Sequence, residues 1–192
     1  VENNACLKIG ESVVVFGAGG IGLNVIQAAS LRSANPIIAV DIIEERLNFS
    51  KKLGATHIVN SKDSNIEESI RSILGDRDLD VFIDNTGIPK FIELGYQLTS
   101  KEGRVILVGV PKIGSEINFY SLPLHFGKII TGSHGGECKP EKDINRYLRF
   151  INNSVSNMKN IITSRYSLDQ INEAIDSIKD GSALGRVIIN YE

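Results

Sequence analysis

Three glycines and one aspartate are the residues whose types and spacing point most directly to chemistry. Gly17, Gly19 and Gly22 follow an apolar run, Ser12–Phe16, and Asp41 closes a second apolar run. Glycines at these places let the chain turn sharply off a strand, let the backbone approach a bound group and let a helix pack on the strand. The free N–H groups at the start of that helix, and the positive end of its dipole, then face an anion. The pattern therefore predicts a phosphate-binding turn.

The position of this turn between a strand and a helix favours a dinucleotide as the ligand. A lone G-x-G-x-x-G motif is weak, because it also fits a tight turn without a ligand or a fold that binds another nucleotide. Asp41 follows Gly22 at about the 20-residue spacing that the dinucleotide fingerprint requires. Its carboxylate could accept hydrogen bonds from both ribose hydroxyls of an adenosine. Arg46 could reach the same ribose or cover the adenine, or it could be a solvated partner of Glu45 or Asp41.

Asp41 also predicts which dinucleotide binds. A 2′-phosphate on the ribose would place two negative groups about 4 Å apart, at a cost on the order of 1–4 kcal/mol. We therefore expect NAD rather than NADP.

Strands and helices alternate along the first 108 residues. The predicted strands are Ser12–Phe16, Pro36–Val40, His57–Asn60, Leu79–Asp84 and Arg104–Val108. The predicted helices are Ile21–Leu31, Glu44–Leu53, Asn65–Leu74 and Pro89–Leu98. This alternation predicts an α/β fold of the Rossmann type, a doubly wound parallel sheet with helices on both faces. Ligands of such sheets bind beyond the carboxyl ends of the strands.

The regular alternation fades after Pro111. Ile129–Thr131 is a candidate sixth strand near a sheet edge, and Val187–Tyr191 is a candidate last strand. Two amphipathic helices are predicted at Pro140–Asn152 and Leu168–Lys179. We divide the chain into a dinucleotide-binding domain, residues 1–135, and a C-terminal segment, residues 136–192.

Composition narrows the function classes. The 192 residues carry a net charge of −2 with no basic stripe, so nucleic acid and acidic membranes are not expected partners. Cys6 and Cys138 are the only cysteines, too few for a disulfide framework, so we expect a reducing cytoplasm. His134, Glu137 and Cys138 are metal-ligand types, but their spacing matches no strong zinc pattern. The first residue is Val1, and we expect the chain to be a piece of a longer protein.

The chain resembles the zinc-dependent medium-chain alcohol dehydrogenases in four segments that occur in the family's order. These segments are SVVVFGAGGIGLNVIQAA, IIAVD, LGATHIVN and RVILVGVP. The similarity covers nearly the whole chain. In that family the cofactor domain is inserted in a catalytic domain that carries zinc. The resemblance implies a cofactor domain with its returning tail, without catalytic residues or metal ligands of its own. Zinc is then expected only in a catalytic domain outside this chain. The resemblance also implies a homodimer through the sheet edge near Leu122–Gly132.

The resemblance further implies a set of cofactor-binding residues. Those of the turn and the adenosine half are Gly17, Gly19, Gly20, Ile21, Gly22, Asp41 and Arg46. Those of the nicotinamide half and the tail are Thr86, Val108, Val110, Gly132, His134 and Arg186. Ile21 would lie against the nicotinamide, and Arg186 would approach the pyrophosphate. As alternatives, Thr86 is only a turn residue, Val108 and Val110 are only core, and Arg186 is only a surface cation.

The implied reaction of the intact protein is reversible hydride transfer between a small alcohol or aldehyde and NAD, with zinc as the Lewis acid. The chain alone is expected to bind NAD and to be inactive. Three other functions stay open at this point: a zinc-free quinone reductase, a methyltransferase and a non-catalytic NAD-binding module. Quinone reductases of this fold usually prefer NADPH, which Asp41 disfavours, and titration with S-adenosylmethionine would reveal a methyltransferase.

Overall fold

A parallel sheet of six strands lies at the centre of the protein. A computed structural model describes residues 1–62, 65–152 and 158–191. The strands, in the spatial order β3-β2-β1-β4-β5-β6, are β1 (Val13–Phe16), β2 (Ile37–Asp41), β3 (His57–Asn60), β4 (Leu79–Asp84), β5 (Thr99–Leu107) and β6 (Ile129–Gly132). All neighbouring pairs in this sheet are parallel. The predicted Rossmann class is confirmed.

Four helices cover the two faces of this sheet. They are α1 (Gly20–Leu31), α2 (Glu44–Lys52), α3 (Ile66–Leu74) and α4 (Pro89–Leu98). Val13 and Val15 of β1 point to a cluster that includes Ile26 of α1, whereas Val14 and Phe16 point to a cluster on the opposite face with α3 and α4. Because successive side chains of a strand alternate between faces, a strand covered on both sides must be apolar throughout. The unbroken apolar runs of the sequence have this origin.

A second, smaller sheet lies in the C-terminal segment. It pairs β7 (Ile162–Ser167) with β8 (Arg186–Asn190) in parallel. The helices of this segment are α5 (Pro140–Asn152) and α6 (Ile171–Lys179), and short 3₁₀ turns lie at Leu122–Phe126, Gly135–Glu137, Met158–Ile161 and Leu168–Gln170. No helix within the described ranges has the length and apolar character needed to cross a bilayer.

Three elements differ from the sequence-based expectations. β7 was not predicted, because its residues ITSRYS alternate between exposed and half-buried positions without an apolar run. The helix predicted over Leu168–Lys179 begins at Ile171, after a 3₁₀ turn whose Ser167 and Gln170 form a capping box. β5 begins at Thr99, directly after α4, and passes through a register shift before it pairs fully with β4.

The C-terminal segment packs on the dinucleotide-binding domain. The guanidinium of Arg146 on α5 donates to both carboxylate oxygens of Glu2, at 3.1 and 2.8 Å. Ile161, which is 6% exposed, joins the core cluster of α1 and β1. The boundary at residue 135 stays a prediction.

Candidate functional site

A cavity of about 440 Å³ opens at the carboxyl ends of the central strands β1, β2 and β4. Nine of the thirteen residues predicted to bind a cofactor line it, namely Gly17, Gly19, Gly20, Ile21, Gly22, Asp41, Arg46, Thr86 and Arg186. The turn between β1 and α1 forms its floor. β1 lies between β2 and β4, and the strand order reverses its direction at this point. Ligands of such sheets bind in the crevice at this reversal.

Two glycines of the turn are required by the chain itself. Gly17 has a φ of +87°, a region that favours glycine. A Cβ at Gly22 would overlap the carbonyl oxygen of Gly17, so only glycine lets α1 sit so close to the end of β1. The role predicted for Gly22 in helix–strand packing agrees with this contact.

Gly19 is required by neither conformation nor packing within the chain. Its φ of −76° and ψ of −169° suit any residue, and a Cβ built there would meet nothing within 4 Å. Gly19 is also the N-cap of α1, so the unpaired N–H groups of the first helical turn lie beside it. The turn thus keeps open space next to backbone donors, which fits a bound pyrophosphate.

The tail arginine lies directly on this turn. A Cβ at Gly20 would be 2.8 Å from Cδ and 2.9 Å from Nη1 of Arg186. Arg186 begins β8, so the last strand of the chain brings a cation to the first turn. The absent side chain of Gly20 makes room for it.

Asp41 has a structural role that the sequence analysis missed. It is 8% exposed, and its carboxylate accepts hydrogen bonds from the backbone N–H of Ala18 at 2.6 Å and of Ile43 at 3.0 Å. The carboxylate therefore braces the turn after β1 against the start of α2. Each carboxylate oxygen has a second lone pair, so both can still accept from a ribose.

Arg46 is not the solvated ion-pair partner that was one of its alternatives. Its Nη2 donates to the carbonyl oxygen of Ala183 at 3.1 Å, and its Nε is buried without a hydrogen-bond partner. Among the ion pairs of the described ranges, none joins Arg46 to Glu45 or Asp41.

The loop after β4 is built around Asp84, another residue that the sequence analysis missed. Asp84 is fully buried, and its carboxylate accepts from the N–H of Thr86 at 3.0 Å, the hydroxyl of Thr86 at 2.6 Å and the N–H of Gly87 at 2.8 Å. The Thr86 hydroxyl also accepts from the N–H of Ile88 at 3.1 Å. Its proton is thus already used, and Thr86 can contribute shape to the cavity but no donor. The run Asp-Asn-Thr-Gly directly after an apolar strand was the signal for this turn.

Asn85 lines the cavity but was not among the predicted cofactor-binding residues. Its Nδ2 donates to the carbonyl oxygen of Phe16 at 3.2 Å, whereas its Oδ1 is buried without a partner. The asparagine joins the ends of β1 and β4 and leaves one acceptor beside the cavity.

The remaining four predicted residues lie outside the cavity, at the ends of β5 and β6. Val108 is half-buried and packs against the core cluster. Val110 is 89% exposed and is not a core residue. Gly132 pairs with Leu107 at the end of β6, and His134 follows it. These residues lie at the same edge of the sheet as the cavity, and their contact with a nicotinamide stays a prediction.

No metal site accompanies the cavity in the part of the chain that the structure describes. There, no group of three or more His, Cys, Asp and Glu side chains could hold a metal ion. Cys6 and Cys138 are both free and exposed. The described side chains therefore do not fit zinc, and the chemistry that they support is the binding of a dinucleotide.

Comparison with known proteins gives a consistent result. A family model described as zinc-binding dehydrogenase matches residues 20–153. The S-(hydroxymethyl)glutathione dehydrogenase of Saccharomyces cerevisiae is 32% identical over 194 residues, which cover 98% of this chain and 50% of that protein. Benzyl alcohol dehydrogenase from Acinetobacter calcoaceticus has a similar structure, with a TM-score of 0.90, 32% identity and coverage of 99% of this chain and 53% of that one.

A further solved structure, an alcohol dehydrogenase zinc-binding domain protein from Burkholderia ambifaria, has a TM-score of 0.91 at 31% identity and covers all of this chain and 51% of that chain. The chain spans about half the length of the curated relatives that it matches. Fold, glycine turn and family model agree, and the chain belongs to the zinc-binding dehydrogenases, the family of the zinc-dependent medium-chain alcohol dehydrogenases.

Proposed function

We propose that this chain is the NAD(H)-binding domain of a zinc-type alcohol dehydrogenase, and that the intact protein transfers hydride between a small alcohol or aldehyde and NAD. The observation that carries the proposal is the space at Gly19, which nothing in the chain requires and which opens beside the N-terminus of α1. Relatives named as dehydrogenases of S-(hydroxymethyl)glutathione and benzyl alcohol support the reaction class.

In this proposal the chain binds and orients the cofactor, and the nicotinamide, once bound, supplies the hydride acceptor. The pyrophosphate lies at the N-terminus of α1, with the Arg186 guanidinium beside it. Asp41 accepts from the adenosine ribose. Ile21, which is 56% exposed, offers an apolar surface to the nicotinamide, between the turn and the ends of β5 and β6.

The proposed cellular setting is the cytoplasm. Cys6 and Cys138 are free and exposed, as thiols in a reducing compartment are. A fluorescent fusion of the full-length protein tests this, and an organellar or exported fusion would contradict it.

The first prediction separates cofactor binding from folding. Gly19→Ala should weaken NAD binding at least about tenfold, because its Cβ fills the space proposed for the pyrophosphate, with little change in thermal stability. Gly22→Ala is the contrasting variant, since its Cβ overlaps Gly17 and should cost about 1–3 kcal/mol of folding free energy, a loss of thermal stability that Gly19→Ala should not show. Calorimetric titration and thermal unfolding measure the two effects. Unchanged NAD affinity in Gly19→Ala would overturn the proposal.

The second prediction concerns cofactor choice. Wild-type protein should bind NAD about tenfold to a thousandfold more tightly than NADP, because the Asp41 carboxylate repels a 2′-phosphate. Asp41→Ala should weaken NAD binding, narrow the difference between the two cofactors and lower the unfolding temperature through loss of the Ala18 and Ile43 hydrogen bonds. Asp41→Asn keeps an acceptor without the charge and should narrow the difference with less loss of stability. Equal wild-type affinities for NAD and NADP would contradict the assignment.

The third prediction concerns catalysis by the chain alone. The purified 192-residue chain should bind NAD but give no zinc-dependent NADH formation from primary alcohols, since the described residues provide no metal site. NADH absorbance, with and without added zinc, measures this. Turnover that depends on zinc would show that the chain holds its own catalytic centre.

The fourth prediction concerns assembly. We propose a homodimer through β6 and the turn before it, because β6 is a sheet edge and Leu122, Phe126 and Ile129 expose 48%, 70% and 46% of their surface there. Light scattering at micromolar concentration should give about twice the 21.0 kDa of one chain. Phe126→Glu should yield monomers, whereas monomeric wild-type protein would contradict the proposed dimer.

A further inference from the structure

The loop between α6 and β8 lies against the start of α2, beside the cavity. We call residues 180–185, which lie between these two elements, the C-terminal strap. Its turn is fixed by local bonds, since the Asp180 carboxylate accepts from the N–H of Ser182 at 2.8 Å and the N–H of Ala183 donates to the carbonyl of Ser177 at 2.9 Å. The Ser182 hydrogen bond holds the pKa of Asp180 below its usual value. Ala183 is 5% exposed, so this part of the strap is packed against the rest of the protein.

Two contacts join the strap to α2. Gly181 has a φ of +82°, and a Cβ there would lie 2.5 Å from Cδ1 of Ile43. The carbonyl oxygen of Ala183 accepts from Nη2 of Arg46 at 3.1 Å. Ile43 is also the residue whose N–H binds the Asp41 carboxylate. The strap therefore contacts two residues of the segment that follows Asp41, one of which binds the Asp41 carboxylate.

The Arg46 guanidinium is held by the strap and lines the cavity. A guanidinium carries five donors in one rigid plane, so a hydrogen bond to one nitrogen fixes the direction of the others. The Ala183 carbonyl takes one donor at Nη2, and Nε is buried without a partner. Arg46 and Asp41 both line the cavity without an ion pair between them. An unconstrained arginine would be expected to turn toward such a carboxylate.

We propose that the C-terminal strap is the positioning element for Arg46. Its Ala183 carbonyl holds the guanidinium in the orientation that meets the adenosine ribose, and NAD affinity depends on the docking of this distant segment. The inference rests on the proposed NAD-binding function and adds residues that are not themselves ligands of the cofactor. Without the strap, Arg46 would be free to pair with Asp41 and would compete with the ribose for that carboxylate.

The experiment perturbs the strap without replacing a proposed cofactor ligand. Gly181→Val forces a β-branched residue into a positive φ and into Ile43. Gly10→Val is the matched control, because Gly10 has the same φ of +82°, has nothing within 4 Å of a Cβ and lies before the amino end of β1, away from the cavity. NADH fluorescence titration should give a dissociation constant raised about 5- to 10-fold in Gly181→Val and changed less than about twofold in Gly10→Val.

A double-mutant cycle with Arg46→Gln separates positioning from general destabilisation. If the strap acts through Arg46, Gly181→Val should change NAD affinity less than about twofold in the Arg46→Gln background. An equal loss in both backgrounds, or an equal loss in Gly10→Val, would overturn the inference. Gly181→Ala is the second variant should Gly181→Val fail to fold. Its Cβ overlaps Cδ1 of Ile43 and lies in ordinary contact, at 3.9 Å, with Nη2 of Arg46, so it should shift affinity in the same direction by a smaller factor.

The two proposals fail in different ways. Wild-type protein that binds no NAD would overturn the proposed function and the strap's role with it. Wild-type binding that is unaffected by the strap variants would overturn only the role of the strap.

Discussion

The close approach of α1 to the end of β1 is the constraint on which the rest of the site depends. Gly22 lies so near the carbonyl of Gly17 that no side chain fits between them. This contact sets the point at which the helix begins and therefore the direction of its free N–H groups. Asp41 then holds the turn from the other side, through Ala18. The first is a packing contact and the second is a charge-assisted hydrogen bond, and together they fix the shape of the turn within the chain itself.

Carboxylates at the strand ends are used first for architecture. Asp41 and Asp84 each close a buried strand, and each accepts backbone N–H bonds from the loop that follows. Such hydrogen bonds replace the water that a buried carboxylate loses. The Asp84 carboxylate accepts its hydrogen bonds from Thr86 and Gly87. It therefore shapes the cavity wall without facing a ligand. The carboxylate oxygens of Asp41 accept from the N–H groups of Ala18 and Ile43 and, in the proposal, also from the ribose.

The sequence predicted best the parts in which one physical requirement dominates. β1, β2 and β4 are mainly apolar because both faces are covered, and their predicted bounds differ from the observed ones by one residue or less. The glycine turn and Asp41 were found because their spacing along the chain follows from one strand–turn–helix–strand unit. β7 was missed because a short strand with half-exposed residues has no apolar run. Some contacts depend on which loops meet in space, and the spacing of residues along the chain does not carry that information. The roles of Asp84 and Asn85 and the hydrogen bond between Ala183 and Arg46 were missed for this reason.

The contact between Gly20 and Arg186 joins α1 to β8, two elements separated by most of the described chain. Chains leave the ribosome from the amino end, and early domains begin to fold before later ones emerge. The glycine turn and the central strands can therefore form before β8 has been synthesised. Arg186 can reach the turn only once β8 has emerged, so a turn that forms early receives its neighbouring cation late.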